Sequence, residues 1–483
     1  MADLLIKNGN VVFPGRGVIR AEIAVDNGKI SQIGTRLELK AEETLDAKGK
    51  HIFPGIIDSH FHVGIYRPLD QDALSESASA VAGGVTTILS YFRTGRNYLN
   101  QSGPYETIFN KVLELSRDKF YSDYGYNLAP VTRTHVKEIP MLASDYGVTT
   151  FKYYMFYRGL VLKGEFKKGA VEKEYLLSDD PYDLGHLLNI MNAIVESNKK
   201  SSTQSARLSI HAEDAELIRA TRDELNQKSN DLSPLEAYSR SRPPASERLA
   251  LIQAAELANV TGCPVNFLHI SSETALSTIQ ELSSRYPNLD KMTEVTVHHL
   301  MLSEETDCGV LGKVNPPIRT SKDSEALWKG ISEYRVHTVA SDHACVTREQ
   351  KGEDIWTAEP GFAGTELLLP SLITEGYLVR KIPLEHVIQL VTSNPAKYHG
   401  LAGRKGDIAV GYDADLTICD LEQKKTVDHK NLHSAQDFSP FDGLELSGWA
   451  TTTIVRGNIV YNDAKVKGNP LGRYLNRSPQ AAM

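Results

Sequence analysis

Apolar and polar positions alternate with a period of two near both ends of the chain, and that texture disappears in between. "LLIKNGNVVF" sets Asn8-Gly9 between apolar pairs, and "AEIAVDNGKISQIG" repeats the device at Asn27-Gly28. Such Asn-Gly steps flanked by apolar residues predict hairpins. The same style returns only in "DADLTICDL" and "TTTIVRGNIVYND", where Gly457-Asn458 lies between apolar pairs. Two distant β segments of one style predict a single small sheet domain, a β-sandwich assembled from both termini.

The intervening chain alternates short β-rich runs with helical stretches, eight times over. The strand candidates are "GIIDSHFHV", "VTTILSYF", "YGYNLAPV", "VTTFKYYMF", "ARLSIHAED", "VNFLHISS", "EVTVHHLML" and "VHTVASDHA". Helical periodicity follows them: "ETALSTIQELSSRY" places Ala275, Ile279 and Leu282 on one face, and "DPYDLGHLLNIMNAIVESN" opens on acids suited to a helix start. Eight strand–helix units predict a (β/α)8 TIM-type barrel. The competing architecture is a doubly wound open sheet, but no G-x-G-x-x-G turn follows an early strand to support its nucleotide-binding form. The expected boundaries are 1–54 for the N-terminal part of the sandwich, 55–400 for the barrel, 401–465 for the C-terminal part of the sandwich and 466–483 for a tail.

Composition narrows the partners. With 61 acidic against 53 basic residues the net charge is −8, and no long basic block could hold a phosphate backbone, so nucleic acid is not expected. Cys263, Cys308, Cys345 and Cys419 are widely spaced and form no C-x-x-C pair, which argues against a disulfide framework and a thiolate zinc site. Reduced thiols and the lack of a basic-then-apolar start lead to the expectation of a cytoplasmic protein. No apolar run reaches membrane-spanning length.

Active-site groups of such a barrel project from the C-terminal ends of its strands, and reactive side chains cluster there in this sequence. The first strand candidate ends in His60 and His62, whose spacing puts both imidazoles on one side. The fourth carries Lys152, the fifth ends in His211, the sixth in His269 and the eighth in Asp342. Taken singly, a strand-end histidine is more often a hydrogen-bonded structural group, and a lone aspartate a turn or cap. Taken together, six candidates on one rim of five strands point to a metal centre. Four neutral imidazoles and a carboxylate suit zinc or a similar divalent ion.

Lys152 is the exception that needs chemistry. An ammonium in the middle of an apolar strand is costly to bury and would repel two cations. If burial lowers its pKa, the neutral amine can add carbon dioxide and become a carbamate, a negatively charged group with two oxygen ligands. The alternative is that Lys152 snorkels its head to the barrel mouth or pairs with a carboxylate.

At this point the chain resembles the amidohydrolase superfamily, and within it the cyclic amidohydrolases: dihydropyrimidinase, hydantoinase, allantoinase and dihydroorotase. The resemblance covers nearly the whole chain. Its anchors are "PGIIDSHFHV", "GVTTFKYYMFY", "IHAED", "SRPPASERLALIQAAELA", "FLHISS", "KVNPPIRTSKDSEALW", "ASDHA" and "TSNPAKYHGLAGRKGDIAVGYDADL". It implies that His60 and His62 hold one metal with Asp342, that His211 and His269 hold the other, and that Lys152, as N6-carboxylysine, joins the two. By the same resemblance Asp342 is the catalytic proton carrier, and Tyr157, five residues beyond the modified lysine, hydrogen-bonds the reacting carbonyl oxygen. Asn315 stands where hydantoinases commonly have a ring-binding serine, and could equally stabilise the loop before Pro316. Gly64 replaces the arginine with which dihydroorotases hold a substrate carboxylate, which counts against that substrate. Arg67 is either a surface residue or a substrate contact, and His298, His299 and His343 are read as structural, although His343 stands beside Asp342, where it could help orient it.

The resemblance therefore implies a hydantoinase- or dihydropyrimidinase-type hydrolase of cyclic amides, imides or ureides, with a homo-oligomer, a tetramer, as the expected assembly. An allantoinase-type ureide hydrolase is the alternative of the same class. A mononuclear deaminase of the superfamily fits less well, because such a site does not require the bridging lysine. The alternative of another class is a non-catalytic tetrameric homologue that binds other proteins; such relatives have typically lost metal ligands, whereas every expected ligand position is filled here.

Overall fold

The computed structural model describes residues 1–95, 97–158, 180–200, 206–225 and 232–477. The last six residues of the expected tail, 478–483, lie outside them. Five strands open the chain: Ala2–Phe13 (β1), Gly17–Asp26 (β2), Lys29–Gly34 (β3), Ala41–Asp46 (β4) and His51–Pro54 (β5). The barrel strands are Ile56–His62 (β6), Val85–Phe92 (β7), Asp123–Leu128 (β8), Thr150–Tyr154 (β9), Arg207–His211 (β10), Val265–Phe267 (β11), Lys291–Thr296 (β12), Thr338–Ala340 (β13) and His343–Ala344 (β14). The chain then returns through Leu416–Thr426 (β15), Glu445–Val455 (β16), Asn458–Asn462 (β17) and Lys465–Val466 (β18).

Both ends build one mixed sheet in the order β18-β17-β16-β15-β5-β1-β2-β3, with β4 alongside β1. Here β5 is the join, parallel to β1 and antiparallel to β15. Alternation works as the pattern requires: Leu4, Ile6, Val11, Ile23, Val25, Ile52, Leu416, Ile418 and Ile454 share one buried cluster. The Asn27-Gly28 step is a true hairpin turn between β2 and β3. Asn8-Gly9 is not a hairpin. The strand runs straight through it, with Asn8 at φ +56° and a register shift between Ile6 and Gly9, so the same dipeptide makes a bulge.

The barrel strands pair in parallel in sequence order from β6 to β13. β13 and β14 are two pieces of the eighth strand, broken at Ser341-Asp342. The first piece pairs with β12 and the second with β6, which closes the ring. All residues of β7, β8, β9 and β10 are buried, as strands covered on both faces must be, and this is why these segments show no period-two alternation. Three strands depart most from their sequence patterns. The sixth ends at Phe267, the eighth breaks after Ala340, and "EVTVHHLML" turns helical at Val297–Met301. His269 and Asp342 have left-handed backbones, φ +36° and +50°, and that is what interrupts the ladders at these two residues.

Two features bind the barrel to the rest. β8 and β9 share only the Leu128–Phe151 pair, and the segment Gly472–Arg477 fills the seam. Leu475 N–H donates to Tyr124 O at 2.7 Å, Arg477 N–H to Gly147 O at 3.2 Å, and the Arg477 guanidinium to Tyr126 O at 2.5 Å. At the junction with the terminal sheet, the buried Lys405 ammonium lies 2.8 Å from Asp123 and 3.2 Å from Asp413, and also pairs with Asp415. Arg456 also pairs with Asp123, and Arg404 and Lys29 with Asp413, but Lys405 is the cation shared by all three acids, which come from β8 and from the approach to β15. Replacing Lys405 by Met should cost about 3–5 kcal/mol, because it removes the ion-pair partner of the buried Asp415 and the cation shared with Asp123 and Asp413; equilibrium unfolding in denaturant would measure the loss.

Candidate active site

The strand ends deliver their side chains to one cavity of about 100 Å3 at the C-terminal mouth of the barrel. His60, His62, Lys152, Tyr157, His211, His269, Asn315 and Asp342 all line it. Every candidate site residue expected from the sequence is therefore in the same place. His60 and His62 project side by side from β6, and Asp342 Oδ1 lies 3.1 Å from the Nε2 atom of each. These three groups converge as the ligands of a single ion would. Lys152 Nζ is 3.4 Å from His60 Nε2 and 4.4 Å from the centroid of the Tyr91 ring. His211 and His269 stack edge to face at 4.2 Å, and His269 stands 5.4 Å from His60.

Burial decides the charge of this cluster. Desolvation carries His60 and His269 well below the ordinary imidazole value and brings His211 down to about 4, with the neighbouring cations adding to the effect. The imidazoles are therefore neutral, with lone pairs available to a metal. Lys152 is pushed down to about 7 by its complete burial, although Asp342 and Glu294 pull it back up. An amine in this range is substantially uncharged at neutral pH, which is the form able to react with carbon dioxide.

The ring nitrogens test the fit to metal. Both nitrogens of His269 are buried and have no hydrogen-bond partner among the described residues, a costly arrangement for an ordinary core histidine. The other three imidazoles are each held from the side. His60 Nδ1 meets Glu294 at 2.7 Å, His62 Nδ1 meets the Tyr98 hydroxyl at 2.9 Å, and His211 Nε2 meets Glu213 at 2.6 Å. Each therefore keeps one nitrogen for the cavity, and the donor set suits a pair of divalent ions.

These orienting groups were not singled out in the sequence. Glu213 is itself gripped by Arg242, whose Nε and Nη2 reach its two oxygens at 2.9 and 2.5 Å. Their signal was present, since Glu213 stands two residues after His211 in "IHAED" and Arg242 opens "RPPASE", but no local pattern says that the two meet. Glu294 and Tyr98 carry no comparable signal.

Tyr157 lies in the short turn Met155–Tyr157 that follows β9, on the cavity wall, with the Arg93 guanidinium 5.8 Å from its ring centroid. Asn315 also borders the cavity, and its Oδ1 accepts a hydrogen bond of 2.6 Å from Tyr238. Arg67 does not point at the site as a free cation. Its Nη1 lies 3.3 Å from Asp72 and 3.4 Å from Glu76 on the helix Leu69–Ala82. Gly64 has φ +76°, and a Cβ there would come within 2.9 Å of Leu69, so the fold leaves no room for a side chain.

A closed parallel barrel with a histidine-, lysine- and aspartate-lined mouth defines a metal-centre hydrolase scaffold, and comparison with known proteins agrees. Residues 181–460 match the model of the amidohydrolase family. Over 98% of its length the chain is 29% identical to the D-hydantoinase of Ralstonia pickettii, covering 99% of that protein, and 29% identical to the allantoinase of Desulfitobacterium hafniense, covering 98% of it. Among solved structures, a D-hydantoinase superposes with a TM-score of 0.85 at 28% identity, covering 99% of both chains. The L-hydantoinase (dihydropyrimidinase) from Arthrobacter aurescens gives 0.85 at 26%, covering 98% of this chain and 99% of that one. The chain belongs to the amidohydrolase family. Among its described residues no helix is long and apolar enough to cross a membrane.

The grip of Glu213 on His211 has a measurable consequence. Glu213→Gln weakens the contact to both His211 and Arg242, and is expected to lower zinc affinity by about 10–100-fold in a chelator competition assay.

Proposed function

We propose that this protein is a metal-dependent cyclic amidohydrolase that opens the ring of a cyclic amide, imide or ureide by hydrolysing a C–N bond. The observation that carries this reading is the convergence of His60, His62, Lys152, His211, His269 and Asp342 on one small cavity whose wall includes Tyr157. His60, His62 and Asp342 would hold one ion and His211 and His269 the other, with Lys152 joining them. When bound, a pair of divalent ions, zinc being the expected choice, supplies a water acidic enough to react at neutral pH and a Lewis acid for the carbonyl.

Lys152 contributes by covalent change. Its neutral amine adds to carbon dioxide and loses a proton, giving a carbamate whose two oxygens face the cavity in place of a cation. The surrounding burial favours this conversion, because it removes the ammonium that the site cannot solvate. Asp342 is the one carboxylate of the expected ligand set, close to both β6 histidines. In the reaction it accepts the proton released as water oxygen bonds to the carbonyl carbon, and passes it to the ring nitrogen as the C–N bond breaks. The products are a carboxylate and an opened amine, amide or urea. Tyr157 donates its hydroxyl proton in a hydrogen bond to the carbonyl oxygen as that atom gains charge, and Asn315 contacts the ring.

Hydantoinase- or dihydropyrimidinase-type substrates are the first choice, because hydantoinase relatives match the chain over nearly its whole length and Tyr157 stands on the cavity wall, as the donor to the carbonyl oxygen would have to. An allantoinase-type activity is the second, supported by an equally identical relative. A non-catalytic role is disfavoured by the complete set of ligand positions. A cytoplasmic, tetrameric enzyme with the barrel at 55–400 and the terminal domain at 1–54 and 401–465 is the organisation that accompanies this reading.

A ring-opening screen of zinc-quantified protein against dihydrouracil, substituted hydantoins, allantoin, dihydroorotate and simple cyclic imides tests the proposal, with turnover of at least one ring as the expected result. Absence of turnover in protein carrying two zinc ions per chain would overturn it. Lys152→Ala should lose at least one zinc per chain by elemental analysis and abolish hydrolysis. Tyr157→Phe should keep its metal and lower kcat by about 10²–10³-fold in steady-state assays.

A further inference from the structure

Asp342 occupies an unfavourable backbone position. A non-glycine residue at φ +50° persists only where its surroundings over-determine it, and the residues on either side of Asp342 are both fastened. On the N-terminal side, Ser341 donates through its backbone N–H and its hydroxyl to the two oxygens of the buried Asp58, at 3.1 and 2.5 Å. On the C-terminal side the fastening is His343, a fully buried ring. It stacks on Phe61 at 4.3 Å with the planes 8° apart, and Phe61 separates His60 from His62 along β6. Its Nδ1 accepts from the backbone N–H groups of Gly364 and Thr365 at 3.3 and 3.4 Å, so the proton sits on Nε2. Nε2 in turn donates to Glu76 Oε2 at 2.8 Å.

Glu76 is the hub of this arrangement. It lies on the helix Leu69–Ala82, has no exposed surface, and collects four further groups from three parts of the chain. Ser434 Oγ donates at 2.5 Å and Ala435 N–H at 3.1 Å, both from the excursion between β15 and β16. Ser75 Oγ donates at 2.7 Å and Arg67 Nη1 at 3.4 Å, the latter from the turn that follows His62. These donors and His343 outweigh the cost of burial and hold the carboxyl in its charged form. One carboxylate therefore links the turn after the β6 histidines, the residue after Asp342 and a loop of the terminal domain.

We propose that Glu76 is a positioning residue for the metal centre: through His343 it fixes the left-handed turn at Asp342, and through Arg67 it fixes the end of β6, so that Asp342 Oδ1 meets His60 and His62 together. The proposal rests on the functional reading only in taking those three side chains as ligands of one ion. A buried residue with a merely structural role would affect folding stability and leave the affinity of correctly folded protein for metal unchanged.

The test measures zinc affinity by chelator competition on full-length Glu76→Gln, His343→Gln, His343→Leu and Ser434→Ala, with thermal unfolding recorded in parallel. Glu76→Gln loses the charge that orders the five donors, and its zinc affinity should fall about 10–100-fold. His343→Gln keeps an N–H donor for Glu76 and should bind zinc at least about fivefold more tightly than His343→Leu. Ser434→Ala, a half-buried position tolerant of change, should show a smaller loss in the same direction, which keeps the idea testable if Glu76→Gln does not fold. Wild-type zinc affinity in folded Glu76→Gln, or in Ser434→Ala where Glu76→Gln does not fold, would overturn the proposal, as would equal affinities for the two His343 variants. If the wild-type protein opens no ring while these affinities fall as expected, the functional reading fails and this one stands.

Discussion

The barrel mouth is organised around the cost of desolvation. Four imidazoles, an amine and a carboxylate are brought together where water is largely excluded, and each must be neutral, paired or bound to something else. His60, His211 and His269 meet this requirement by losing their charge, as their depressed pKa values show. Lys152 meets it only partly, because Asp342 and Glu294 still favour its ammonium form. A carbamate would remove that cation, so the same burial that makes Lys152 anomalous as a strand residue would suit it to the anionic ligand proposed for it.

Around this centre runs a layer of carboxylates that are themselves paired. Glu294, Glu213 and Glu76 each hold a histidine, and Glu213 and Glu76 are each tied to an arginine. Directionality explains the design. An imidazole that donates from one nitrogen to a fixed carboxylate presents the other in a defined direction, so ring orientation is set before any ion arrives. The backbone participates as well, since His269 and Asp342 reach the cavity from left-handed turns just beyond or between strands rather than from the pleat itself.

The terminal sheet is coupled to this machinery mechanically. Lys405 joins β8 to the approach of β15 through buried acids, and Ser434 and Ala435 extend from between β15 and β16 to the helix that follows β6. The segment Gly472–Arg477 fills the gap between β8 and β9 from below. Sequence-distant parts thus brace β8 and the helix Leu69–Ala82, the immediate neighbours of the strands that carry His60, His62 and Lys152. A barrel alone would leave those braces open.

Much of this was legible in the linear chain, for physical reasons. Period-two alternation at the ends and short β-rich runs without that alternation in the middle are imposed by one-sided and two-sided burial, so they announced the terminal sheet and the eight strands. The six ligand candidates could be picked out because polar groups at the ends of buried strands are costly unless used. Local spacing could not distinguish the bulge at Asn8-Gly9 from the hairpin at Asn27-Gly28, because the difference lies in which strand runs alongside. Nor could it show Gly64 pressed against Leu69, Arg67 folded back on Asp72 and Glu76, or the partners of His211 and His343. Gly64 and Arg67 meet partners only a few positions away, but through the course of the turn after His62, which spacing does not reveal; Arg242 and Glu76 reach Glu213 and His343 from distant segments that only closure of the barrel brings together.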